Sequence, residues 1–334
     1  MATTDEKRAE RKNIIKALKA IHIDTERDEK LKEMIIELFE SDESGASIPV
    51  PTRFSCNLET RGIAFIEPAG GGKTTAIYRA LQSHAFLAAN SATAMPRFIH
   101  ITVESPATLK SLLVGMLEEL GVPNVSSSTP NWQLSKLVRK RLEVTGTVLI
   151  WIDEAHDLFI SRTDGEVEDM LKFIKRLMEG DGAVAMILSG TEKLMEITAL
   201  DRQVDRRFMF KIVPEELSEL TDYDQVASVL RMYCTEAGIK LDLRDELVER
   251  LIYGSRGRFG LVAETTIQAI DLALSLEDDQ LSRDHFAEAW GIREGVKWDL
   301  NVFAAADWRI VPLNGSKRLE EEPTGRRRKT RRAA

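Results

Sequence analysis

The spacing of apolar residues changes twice along the chain. Residues 5–20 and 27–40 carry apolar side chains at helical spacing, which predicts two amphipathic helices. From residue 61, short continuous apolar runs alternate with helical segments. After Pro214 the apolar runs stop and only helical segments follow. The pattern therefore predicts four parts: a helical arm (1–44), an α/β core (45–214), an all-helical lid (215–292) and a C-terminal extension (293–334).

The core contains five apolar runs with the length of buried strands. These are residues 62–67, 97–104, 147–154, 183–190 and 207–213. Strands that alternate with helices predict an α/β fold with a doubly wound parallel sheet, covered by helices on both faces. In such a sheet, ligands bind at the carboxyl ends of the strands.

A glycine-rich turn follows the first of these strands. Its sequence, EPAGGGKTT, ends in the Gly72-Lys73-Thr74 of a phosphate-binding loop, but Glu67 stands where that motif has its first glycine. Backbone N–H groups of a glycine turn and the following helix N-terminus bind phosphate. The alternative is a glycine-rich connection with a surface lysine. We predict a nucleotide-binding loop formed by Pro68, Ala69, Gly70, Gly71, Gly72, Lys73, Thr74 and Thr75.

The third strand supplies the carboxylates that such a loop needs. It ends in Asp153 and Glu154. We predict that Asp153 and Thr74 hold Mg²⁺ and that Glu154 orients the attacking water. The run Asp153 to His156 also spells the box of one helicase group, which requires two motor domains, whereas this chain has one phosphate loop. His156 is therefore expected to begin the next helix without a catalytic role.

Two further polar groups fit a nucleotide site. Ser189 and Thr191 end the fourth strand, where they could sense the γ-phosphate; Thr191 could equally cap a helix. Arg202, Arg206 and Arg207 precede the last strand. An arginine there can enter a neighbouring subunit's site and neutralise transition-state charge. A solvated basic turn is the alternative.

Charge is unevenly distributed along the 334 residues. The net charge is −8, but residues 317–334 carry eight basic and three acidic side chains. A basic tail suggests contact with a polyanion such as nucleic acid, although it could serve solubility alone. Cys56 and Cys234 are predicted to be free thiols in a reducing cytosol. No signal peptide is evident. We expect no apolar run to approach the ~18 residues of a membrane span.

The order EPAGGGKT, IDE, LSGT and DRRF resembles the AAA+ P-loop ATPases. Within them, ITVESPATLKSLLVGMLEELGVP, ILSGTEKL, DRQVDRRF and DLNVF resemble the TniB-type transposition ATPases, relatives of TnsC and MuB. The resemblance covers about residues 10–305 and departs from the family's loop at Glu67.

This resemblance implies a cytoplasmic, Mg²⁺-dependent ATPase that regulates DNA transposition. Such proteins bind ATP, oligomerise on target DNA as filaments or rings, and recruit transposase, and hydrolysis then disassembles them. By position, Arg207 matches the family's arginine finger, and Arg258 (or Arg256) matches the second sensor arginine of the lid. Thr108 and Lys110 lie where the family contacts DNA.

Two other functions stay open. Glu67 suggests a nucleotide-dependent scaffold with little hydrolysis. The AAA+ core is also shared by helicase loaders and replication initiators, but initiators carry a DNA-binding domain after the lid, for which residues 292–334 offer little room.

Overall fold

The computed structural model describes residues 4–54, 56, 58–103, 107–159 and 163–313, in two compact units. The sheet unit comprises residues 22–215, and the helical unit comprises the described residues before 22 and after 215. The basic segment 317–334, predicted to contact a polyanion, lies outside the described residues.

The elements are numbered in chain order. The helices are α1 (Thr4–Ala20), α2 (Glu26–Glu37), α3 (Lys73–Ser83), α4 (Leu109–Glu119), α5 (Asn131–Thr145), α6 (Asp164–Leu177), α7 (Lys193–Ala199), α8 (Arg202–Arg207), α9 (Tyr223–Ala237), α10 (Leu247–Gly254), α11 (Phe259–Leu276) and α12 (Arg283–Glu294). The strands are β1 (Phe39–Ser41), β2 (Ser47–Pro51), β3 (Gly62–Ile66), β4 (Phe98–Thr102), β5 (Leu149–Asp153), β6 (Ala185–Gly190), β7 (Phe210–Ile212), β8 (Lys240–Leu241) and β9 (Gln280–Leu281).

The five predicted strands form one parallel sheet in the order β4-β5-β6-β3-β7. Every residue of β3, β5 and β6 is buried, as expected for strands covered on both faces. Because β6 lies between β3 and β5, its carboxyl end separates the phosphate loop from Asp153. The predicted doubly wound α/β fold is confirmed.

Alternate residues of these strands serve two cores. Ala64, Ile150 and Ile152 face the core that contains α4, α5 and α6. Ile63, Phe65 and Trp151 face the other core, which contains α2 and α3. This two-sided packing holds the carboxyl ends of β3, β5 and β6 at one edge of the sheet.

The predicted helical arm does not form one part of the molecule. Helix α1 packs against α9 and α11 in the helical unit, whereas α2 packs against α3, β1 and β7 in the sheet unit. The segment after α2 is rich in Ser, Gly and Pro, but β1 and β2 form an antiparallel pair within it. Prolines in β2 are tolerated because this sheet has only two strands, each with a free edge.

The helical unit contains the four helices predicted after residue 214, and residues 298–313 pack onto them. Arg250 donates hydrogen bonds to the carbonyls of Val302 (2.6 Å) and Ala305 (2.9 Å), which attaches the predicted extension to α10. Both cysteines are free, Cys56 exposed and Cys234 buried. Burial raises the pKa of Cys234 to about 12, so its thiol stays protonated.

One described helix, α11, is long and apolar enough to cross a membrane by length and composition alone. This corrects the expectation that no apolar run approaches that length. Val262, Ala269 and Ile270 of α11 are nevertheless buried within the unit, where the helix packs against α9 and α12. A core helix meets the same length and composition criteria.

Candidate nucleotide site

The glycine turn joins β3 to α3. Gly70 and Gly72 have φ of +84° and +98°, a region that side-chain-bearing residues rarely occupy. Gly72 immediately precedes α3, so the first backbone N–H groups of this helix face the turn. The predicted loop residues 68–75 therefore lie together at the end of β3, where a helix N-terminus favours an anion.

Lys73 begins α3 and is almost fully buried, with 4% of its surface exposed. Its Nζ lies 3.3 Å from Oε1 of Glu154. The structure thus brings together the loop lysine and the glutamate that is predicted to orient the attacking water.

Asp153 is the centre of a short hydrogen-bonded line. Its Oδ2 accepts a hydrogen bond from the Thr74 hydroxyl (2.6 Å), and its Oδ1 accepts one from the Ser189 hydroxyl (2.6 Å). The indole of Trp151 in turn donates to Ser189 Oγ (2.8 Å). Ser189 reaches Asp153 because β6 lies between β3 and β5. The carboxylate is therefore fixed on one side and directed at Thr74 on the other.

The donor set of this site fits Mg²⁺. A carboxylate oxygen and a hydroxyl oxygen, Asp153 Oδ2 and Thr74 Oγ1, face each other next to a loop suited to phosphate. Mg²⁺ binds hard oxygen ligands of this kind and usually takes few from the protein, the rest coming from water and substrate phosphates.

Glu154 has an unusual backbone, with φ of +52° although it is not glycine. Left-handed backbone in such a residue is uncommon and often occurs at functional sites. Its Oε2 lies 3.3 Å from Nδ1 of His156, and both atoms are buried without a hydrogen-bond partner. The sequence predicts no catalytic role for His156, but the structure places it against Glu154. Its spacing of two residues after Glu154 in a tight 3₁₀ turn is the signal that could have indicated this contact.

Glu67, the residue that departs from the motif, is buried against the loop. Its carboxylate pairs with the Arg27 guanidinium of α2, and a Cβ at Gly71 would collide with it. Burial raises the pKa of Glu67, while Arg27 and Lys73 oppose that rise. A raised pKa means that the ionised form is disfavoured by folding. Glu67 therefore contributes most to stability below its unfolded pKa, and that contribution is lost as the pH rises through its folded pKa.

The predicted finger residue Arg207 is buried in its own subunit, with 2% of its surface exposed. Its Nη2 lies 2.6 Å from Glu59 and 3.5 Å from Glu179. Arg206, next to it, also contacts Glu59 but its side chain is 54% exposed. A finger role for Arg207 stays a prediction, and it would require this arginine to leave its carboxylate partners.

We expect Arg207→Ala to destabilise the sheet unit by about 1.5–3 kcal/mol, because it removes a buried charge-assisted hydrogen bond to Glu59, which keeps Arg206 as a partner. Arg206→Ala is the matched control, and an exposed pair is worth only about 0–1 kcal/mol. Chemical denaturation of both variants measures the difference. Equal free energies of unfolding would show that the burial of Arg207 has no structural role.

Three other predicted residues, Arg258, Thr108 and Lys110, lie far from the glycine loop in the sequence. Thr108 and Lys110 make local hydrogen bonds. Arg258 immediately precedes α11 in the helical unit, where Arg256 pairs with Glu294 (2.8 Å). Thr108 caps α4 by accepting a hydrogen bond from the Ser111 amide (2.9 Å), and Lys110 donates to the Ser127 carbonyl. The sensor role of Arg258 and the DNA contacts of Thr108 and Lys110 stay predictions.

Comparison with known proteins agrees with this geometry. Residues 59–198 match a protein family described as an AAA domain. No curated protein sequence is significantly similar to the chain.

Three solved structures share the fold. The Aeropyrum pernix ORC1 protein in complex with DNA has a TM-score of 0.57 and 16% identity over 83% of this chain and 67% of its own. Cdc6p from Pyrobaculum aerophilum has a TM-score of 0.54 and 12% identity over 72% and 65%. The Aeropyrum pernix ORC2 protein, solved as ADPNP-ADP complexes, has a TM-score of 0.53 and 16% identity over 84% and 72%. The match of residues 59–198 to an AAA domain and the shared topology show that this chain has the AAA+ P-loop fold.

Proposed function

We propose that the chain is a Mg²⁺-dependent ATPase that acts on DNA. The observation that carries this proposal is the line from Trp151 through Ser189 and Asp153 to Thr74, at the end of a glycine loop with a buried lysine. No structural role requires a carboxylate, two hydroxyls and Lys73 to converge on such a loop. In P-loop NTPases, the loop lysine, the loop hydroxyl and a strand-end aspartate hold the phosphates and Mg²⁺.

Each group has a distinct part in hydrolysis. The amides of the loop and Lys73 bind the phosphates of ATP and offset their charge. Thr74 and Asp153 would hold Mg²⁺, which when bound supplies further positive charge at the phosphates. Ser189 keeps Asp153 oriented. Glu154 orients the attacking water and accepts its proton, and His156 limits the positions open to the Glu154 carboxylate.

For the biological role, we propose ATP-dependent regulation of DNA transposition. The support is the resemblance to TniB-type proteins, and the ORC1 neighbour, which was solved with DNA, is compatible with a DNA-associated ATPase. In this role the chain binds ATP, assembles on double-stranded target DNA and recruits transposase. Hydrolysis then releases the assembly.

This role predicts that ATP, but not ADP, causes assembly on DNA. The reason is that the γ-phosphate is the group that distinguishes the two states at a site of this kind. Electron microscopy of the full chain with duplex DNA and each nucleotide is the measurement. We expect extended or ring-shaped assemblies with ATP alone, whereas identical small particles with both nucleotides would exclude the proposed role.

A nucleotide-dependent scaffold with little hydrolysis is the second candidate. The specific observation in its favour is the buried Glu67 carboxylate beside the loop, which has no equivalent in the motif. The two functions differ in one measurable property: a scaffold assembles on DNA with ATP but releases no phosphate.

A further inference from the structure

The sheet unit contains a buried charged pair in contact with the glycine loop. Arg27 of α2 and Glu67 of the loop are 40 residues apart in the sequence, and their side chains are 12% and 7% exposed. Burying an ion pair is costly unless its geometry and remaining hydrogen bonds compensate. The buried Arg27–Glu67 pair beside the glycine loop therefore needs a compensating interaction.

Both partners lie directly on the glycines of the loop. The Glu67 carboxylate fills the space that a Cβ at Gly71 would need, and Arg27 Nη2 lies 3.1 Å from the position of a Cβ at Gly72. The guanidinium is therefore next to the residue that immediately precedes Lys73.

The pair is also incompletely hydrogen-bonded. Arg27 Nε and Glu67 Oε2 are both buried without a hydrogen-bond partner among the described residues. A carboxylate of Asp28 lies 3.8 Å from Arg27 Nε, so a second acidic group also stabilises the arginine. Arg27 thus has an unused N–H donor, and Asp28 would remain as a nearby counter-charge if Glu67 released the guanidinium.

We propose that Arg27 is a nucleotide-phosphate ligand and that Glu67 is its placeholder, an anion that holds the arginine on the loop until phosphate replaces it. This inference rests on the proposed nucleotide binding and extends it to α2, which lies outside the motif. Arginine binds phosphate with paired N–H donors, as it binds a carboxylate, so the exchange needs no large movement of the side chain. A nucleotide that binds has to displace Glu67 from Arg27, and this competition lowers the affinity for the nucleotide.

The proposal assigns opposite effects to the two partners. Arg27→Gln removes a ligand and should weaken binding of a fluorescent ATP analogue by roughly 10- to 100-fold, the loss expected for a charge-assisted hydrogen bond to phosphate. Glu67→Gln removes the competitor and should strengthen binding by about 10-fold. The matched control is Lys30→Gln, which removes an exposed charge from the same helix and should leave binding unchanged.

The double variant separates this mechanism from simple repulsion. If Glu67 acts through Arg27, then Arg27→Gln/Glu67→Gln binds the analogue as Arg27→Gln does. If Glu67 only repels phosphate, the second substitution still strengthens binding, which would overturn the proposal. If the Arg27–Glu67 pair is purely structural, both single variants should bind the analogue more weakly and unfold at a lower temperature. That result would also overturn the proposal. Thermal unfolding of each variant is measured without nucleotide, and the conservative Arg27→Lys variant is compared with Arg27→Gln. These two controls identify a folding defect.

Failure of this inference can be told from failure of the proposed function. If the wild-type chain binds the analogue no better than Lys73→Ala, nucleotide binding itself is wrong, and the Arg27 proposal with it. If the wild type binds and Lys73→Ala does not, but Arg27→Gln and Glu67→Gln shift affinity in the same direction, only the exchange of Arg27 between Glu67 and phosphate is wrong.

Discussion

Lys73→Ala is expected to weaken binding of ATP by about 100-fold, because it removes the buried cation of the loop and a charge-assisted hydrogen bond to phosphate. In the absence of nucleotide it also removes the Lys73 Nζ that lies 3.3 Å from Glu154. Titration calorimetry with ATP and Mg²⁺ measures the effect on affinity.

The control for this variant is Lys140→Ala, which removes an equal charge from the exposed surface of the same unit. We expect it to bind ATP as the wild type does. Equal loss of affinity in both variants would point to net charge, and unchanged affinity in Lys73→Ala would exclude the glycine loop as the phosphate site.

Glu154→Gln is expected to separate binding from hydrolysis. Glutamine has nearly the same size and can stay beside His156, so ATP still binds, but it cannot accept the proton of the attacking water. Hydrolysis should fall by about 10²- to 10⁴-fold, the usual contribution of a general base. Assemblies on DNA should therefore persist with ATP long after those of the wild type have dissociated.

Phosphate release and electron microscopy of the same samples measure the two effects, with the exposed Glu143→Gln as control. Turnover of Glu154→Gln at the wild-type rate would show that another group activates the water. Loss of ATP binding would show instead that Glu154 supports the loop through Lys73.

Much of the fold followed from periodicity. Buried strands such as β5 consist almost entirely of apolar residues, and the glycine turn and Asp153 lie where a parallel sheet puts them. The hairpin of β1 and β2 was missed because its Ser, Gly and Pro residues are typical of linkers. The sequence does not indicate that the helical arm is divided between two units. An amphipathic stripe predicts that a helix packs, but it does not show which element the helix packs against.

Only those parts of the site that consist of adjacent residues or follow the spacing of a motif could be predicted from the sequence. Lys73, Thr74 and Asp153 belong to one motif set, and Thr74 donates a hydrogen bond to Asp153. Their role in nucleotide binding stays a prediction. The Arg27–Glu67 pair joins residues from different elements, and no local pattern indicates it. Charged residues are usually exposed, so the burial of Arg207 against Glu59 could not be inferred from a basic turn.

The central claim is that Thr74, Asp153 and Glu154 form a working site for Mg²⁺-dependent hydrolysis of ATP. Its most direct test is the rate of phosphate release from ATP by the full wild-type chain with duplex DNA, with Mg²⁺ and after its removal by a chelator. We expect steady release with Mg²⁺ that stops when the metal is removed and is absent in Asp153→Asn. Release that persists without Mg²⁺, or a wild-type rate no higher than that of Asp153→Asn, would contradict it.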